Sequence, residues 1–91
     1  MRKNLEESVK EFVDSGQLKL VDSKSHELNE EYDFADVLWD AAELAKKNNY
    51  DYVFINGDGT QVLITPAGSF REASEDTEEK LCKVEYYVSK K

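Results

Sequence analysis

Two short stretches and one lone side chain are the places where this sequence could do chemistry. His26-Glu27-Leu28-Asn29-Glu30 opens like the helix of a zinc protease, but that pattern needs a second histidine four residues on, where Glu30 stands. The chain has one histidine and one cysteine, far apart in sequence, so no tetrahedral zinc set follows from spacing. Asn56-Gly57-Asp58-Gly59 has the look of a calcium loop. Setting Gly59 at the invariant glycine puts Phe54 at the first ligand place and Thr65 at the last, and neither supplies a carboxylate. The same glycines lead into a strand-like run rather than a helix start, which argues against a phosphate-cradling loop. Cys82 alternates with apolar residues, the setting of an inert buried thiol. Paired carboxylates are plentiful, yet acid–base work needs a pocket that 91 residues have little room to build. The expectation is a non-enzymatic protein with no cofactor and no metal, and with His26 as a surface side chain in a polar loop.

Few elements are available to carry these residues. The length makes one domain, residues 1–91, near the lower limit of independent folding. Leu, Ile, Val and Phe make up about a quarter of the chain, above the ~20% below which a highly charged sequence stays disordered. Asn4, with Glu7 three residues on, signals a helix start; Leu5, Val9, Phe12 and Val13 share one face, and Gly16 stops it. Residues 17–21 read as a short strand and 22–31 as a loop. Asp33 caps a second helix with an apolar stripe of Phe34, Val37, Leu38, Ala41, Leu44 and Ala45. Lys46 and Lys47 fall in its last turn, as the helix dipole favours.

Tyr52 to Ile55 and Val62 to Thr65 form a hairpin across the glycine turn. Its register sets Ile55 opposite Val62, Phe54 opposite Leu63 and Val53 opposite Ile64. All three pairs are apolar, so both faces of the hairpin are at least partly buried and it is central. Residues 66–69 read as a turn and 72–80 as acidic loop or one helical turn. Residues 82–88 fit either a strand or a helix, and their aromatic and β-branched content favours the strand. The predicted fold class is α+β: a three- or four-stranded, mostly antiparallel sheet with two helices packed on one face.

Charge is the remaining signal. Twenty acids stand against 12 Lys plus Arg, for a net −8, and the charged fraction of 35% exceeds the ~25% usual in globular domains. No apolar run approaches the ~18–20 residues of a membrane span, and the N-terminus turns acidic where a signal peptide would be apolar. A lone cysteine closes no intramolecular disulfide. The expected location is the cytoplasm, with no membrane and no direct nucleic-acid contact, since both need clustered Lys and Arg. Nearly all the excess charge lies in residues 22–51 and 72–80; residues 1–21 and 52–71 are balanced.

At ~100° per residue, Asp33, Asp36, Asp40 and Glu43 form one strip of the second helix, beside its apolar stripe. Such spacing costs roughly 0.2–0.5 kcal/mol per like-charged pair, so it wants a reason. Trp39 points away from the apolar stripe amid these acids, as an interface anchor would, unless a neighbouring segment covers it. Rows of carboxylates can imitate phosphates. The leading expectation is an inhibitor or regulator of a basic, nucleic-acid-handling protein, by analogy of size and charge with the DNA-mimicking inhibitors of phages and mobile elements. The contact patches would be Asp33, Asp36, Trp39, Asp40 and Glu43, and Glu75, Asp76, Glu78 and Glu79. On this reading, lysine at positions 36 and 40 abolishes binding without unfolding the domain. The alternatives are a homodimeric assembly module joined at an exposed strand edge such as 82–88, or an antitoxin or immunity protein facing a basic toxin. Solubility alone is the bland account of the same charge.

Overall fold

The computed structural model describes residues 4–57, 59–73 and 80–90. In chain order the elements are α1 (Leu5–Asp14), β1 (Leu18–Glu27), α2 (Phe34–Asn48), β2 (Tyr52–Gly57), β3 (Thr60–Thr65), β4 (Gly68–Ala73) and β5 (Leu81–Ser89). The strands make one antiparallel sheet in the order β1-β5-β2-β3-β4. The α+β class and the β2–β3 register hold as expected, and β2 is the central strand. The ambiguous segment after residue 80 is the strand β5.

Three expectations need correcting. The sheet has five strands, not three or four, because the edge strand β4 lies where the sequence reads as a turn and an acidic loop; the other edge strand, expected over 17–21, runs on through residues that read as loop. Asp22 to Glu27, placed in a loop, continue β1 along β5 from Asp22↔Tyr86 to Glu27↔Leu81, past an irregularity between Leu20 and Asp22. Gly68 to Ala73 pair with β3 as β4, so the turn read over 66–69 is confined to Pro66 and Ala67. Both strands are mostly exposed, so neither carries the apolar alternation that announces a strand. Next, β5 lies between β1 and β2, so residues 82–88 offer no free edge for a dimer; the edges are β1 and β4.

Finally, the helices pack on opposite faces, not on one. Phe54, Leu63 and Tyr87 point to one side and pack with Val9 of α1 and with Leu18. Val53, Ile55, Val62, Cys82, Val84 and Tyr86 point to the other and pack with Val37, Ala41 and Ala45 of α2. A central sheet that is apolar on both faces needs a cover on each, and one helix supplies each.

One local side chain and two distant in sequence complete the start of α1. Asn4 Oδ1 accepts from Glu7 N at 2.8 Å, Gln61 Oε1 from Glu6 N at 2.9 Å, and Glu72 Oε2 from Leu5 N at 3.0 Å. These acceptors satisfy amides that have no partner within a helix. At the other end Gly16, at φ +82°, donates to Val13 O and Gln17 donates to Phe12 O, the paired bonds of a Schellman stop.

Candidate protein-interaction surface

The second helix is built as its sequence suggests. Asp33 Oδ1 accepts from Asp36 N, and Asp36 Oδ2 accepts from Asp33 N, a reciprocal capping box. Asn49 closes the far end in the left-handed region at φ 58°, where asparagine is tolerated. Val37, Ala41 and Ala45 are buried against β2 and β5, so the opposite side of the helix faces out. Trp39 stands on that outer crest, 72% exposed. No segment of the described structure covers it.

Because α2 lies over β5 and β2, it leaves a groove on each flank. Toward β3 and β4 the groove is apolar: Leu38, Trp39 and Ala42 form one wall, and Val62, Ile64, Ser69 and Arg71 form the floor and far wall, enclosing about 380 Å³. Ala42 and Ile64 also line a second hollow of about 360 Å³ that reaches Tyr50, Thr65 and Pro66, so the trough follows the helix. Arg71 holds the end nearest the helix start, its guanidinium 6.0 Å from the centre of the Phe34 ring. Toward β1 and β5 the cleft is polar, about 320 Å³, and lined by Lys24, His26, Asp40, Glu43, Leu44, Lys47 and Tyr86.

The predicted α2 patch is therefore divided. Asp40 and Glu43 share the polar cleft, where Lys24 and Lys47 offset part of their charge. Trp39 belongs to the apolar groove. Asp33 and Asp36 are occupied with each other's amides, and Asp40 accepts a hydrogen bond from the Tyr32 hydroxyl. Local structure thus explains three of the four acids whose spacing looked costly. Glu75, Asp76, Glu78 and Glu79 lie outside the described residues. His26 is not a loop residue: it sits half-buried in β1 with its ring 5.6 Å from that of Tyr32. Lys24, Arg71 and Ile64 were missed as site residues. Their only sequence signal was membership in strands that pair across the sheet.

Among titratable groups the phenols shift. Desolvation, then the Asp40 hydrogen bond and the charges of Asp40 and Asp36, pushes Tyr32 up to about 12. Burial first, then Asp22 and Asp40, pushes Tyr86 up to about 12. Burial and Glu85 push Tyr87 up as well. Each shift holds the phenol neutral and moves it further from the pH range of acid–base exchange near neutrality. Among the described residues no cluster of three His, Cys, Asp or Glu is placed to hold a metal ion, and no helix is long and apolar enough to cross a membrane. No protein family, curated protein or solved structure matches this chain.

Proposed function

We propose that this protein is a non-enzymatic inhibitor or regulator that binds a basic, nucleic-acid-handling protein through the outer side of α2, its carboxylates standing in for phosphates. The observation that carries this reading is Trp39, 72% exposed on the crest between an apolar groove and a cleft containing Asp40 and Glu43. Leaving so large an apolar side chain in water forgoes the burial it would gain at an interface, and tryptophan is enriched among residues that dominate binding energy. In this division of labour Trp39 is the desolvated anchor. Asp40 and Glu43 meet Lys or Arg at the rim, and the net −8 steers the encounter. The same physics serves an immunity protein facing a basic toxin; only the identity of the partner differs.

The test is affinity capture from the native host with a salt-gradient elution. A basic protein that elutes as salt rises, and that is lost with Trp39→Ala or Glu43→Lys, supports the reading. Captured proteins that are neutral or acidic, or elution indifferent to salt, overturn it.

A further inference from the structure

The two edges of the sheet are defended unequally. Edge strands invite pairing with another chain unless charges, bulges or a cover blunt them. β1 is blunted by its irregularity between Leu20 and Asp22 and by Lys19, Asp22 and Lys24 along its length. β4 is regular, pairing residue for residue from Gly68 to Ala73. Both its charges are turned back into the chain: Arg71 over Phe34, and Glu72 onto the Leu5 amide. What remains outward is a six-residue edge with Phe70, 53% exposed, on the α1 side and the Trp39 groove on the α2 side.

We propose that two copies of this chain pair antiparallel through β4, about a two-fold axis at Phe70, into one ten-stranded sheet. The strand is self-complementary in that register. Phe70 meets Phe70 of the second copy, an aromatic cross-strand pair. Ser69 lies opposite the second copy's Arg71, and Gly68 opposite its Glu72, so each long side chain faces a small one. Shifting the axis to Arg71 or Glu72 would set like charges directly opposite, which the Phe70 axis avoids. The Asp40–Glu43 cleft opens on the β1 side of α2, away from β4. Antiparallel pairing also sets the two Ala73 residues about 20 Å apart, so the chains leave β4 at opposite ends of the pair. The inference does not rest on the basic partner: the pairing is carried by the β4 backbone and Phe70, whereas Trp39, Asp40 and Glu43 are presented by α2.

Sedimentation equilibrium of the full chain, from about 10 μM to about 1 mM, decides the matter. The expected result is a monomer–dimer equilibrium whose dimer fraction rises with salt, because each copy carries −8 and salt screens their mutual repulsion. Binding to a basic partner has the opposite salt dependence, so the two ideas fail separately. Phe70→Lys places like charges at the axis and weakens the dimer by about tenfold or more, while Val21→Lys on the β1 edge leaves it unchanged. In the unmodified chain, exchange slows as concentration rises at those β4 amides that point away from β3, every second residue of the strand, which tests the edge without any substitution. A monomer throughout at high salt, a dimer indifferent to Phe70→Lys, a dimer dissolved by Val21→Lys, or those β4 amides indifferent to concentration would each overturn the proposal.

Discussion

Lysine at positions 36 and 40, the natural probe of an acidic patch read from sequence, should destabilise this domain before any partner is added. Asp36 supplies one of the two bonds of the capping box, accepting from Asp33 N at 3.0 Å. Losing it costs about 1 kcal/mol, and placing a cation in the first helical turn removes a further ~0.3–1 kcal/mol of favourable interaction with the dipole. Asp40→Lys removes the acceptor of the Tyr32 hydroxyl, for about another 1 kcal/mol. Relief of repulsion along the strip returns ~0.2–0.5 kcal/mol per pair. The net is a loss of about 2 kcal/mol, which for a domain of this size lowers Tm by about 8–16 °C. Trp39→Ala and Glu43→Lys should stay within ~0.5 kcal/mol of the parent, since Trp39 is exposed and Glu43 lies outside both the capping box and the Tyr32 contact. Urea titrations followed by far-UV circular dichroism compare the three variants. A double lysine variant as stable as the parent would refute the structural role of these acids and restore them as candidates for a pure binding patch. If the loss is found, lost binding in that variant reports on folding as much as on contact, and Trp39 and Glu43 are the positions for probing the interface.

Three further outcomes follow from the same packing. A Cβ added at Gly57 would lie 2.5 Å from Leu81 O and 2.7 Å from Cys82 Cα, so Gly57→Ala should push β2 from β5 and cost more than ~2 kcal/mol in a thermal melt; an unchanged Tm contradicts that close approach. Tyr32 and Tyr86 sit at about 12 in the folded chain against an unfolded value of 10.0, so the folded state keeps protons that the unfolded chain releases. Their contribution to stability is complete below pH 10 and is lost as pH rises toward 12, and an ultraviolet titration of the folded protein in which both phenols ionise near 10 would count against it. Cys82 is fully buried, so a thiol reagent should label it only at the rate of unfolding; rapid labelling in native buffer would place it elsewhere.

Much of the architecture was legible locally. The stripe of α2, its Asp33 cap and the β2–β3 register rest on short-range periodicity and pairing, and all three stand in the fold. The position of Trp39 was legible too, because a helical wheel fixes which side of α2 it occupies. That it is exposed was not, since a neighbouring segment was free to cover it until the packing was known. The second half of β1 and the whole of β4 escaped notice for a different reason. Asp22 to Glu27 and Gly68 to Ala73 are strands because β5 and β3 offer them hydrogen bonds, and such pairing overrides weak intrinsic preference.

By itself the sequence determined the helices, the central hairpin, the concentration of negative charge and the absence of spaced metal or phosphate motifs, all properties of residues within a few positions of one another. Only the tertiary structure decided which face each helix covers. Phe54 and Leu63 on one side and Ile55 and Val62 on the other each need a cover, and sequence does not say which helix supplies it. It likewise decided that Gln61, 2% exposed, and Glu72 complete the start of α1, contacts that span more than half the chain. And it separated Trp39 from the acids beside it in sequence, setting the indole over an apolar groove and Asp40 and Glu43 over a polar cleft. A helix sends neighbouring residues to different flanks, and the sheet beneath determines what each flank meets.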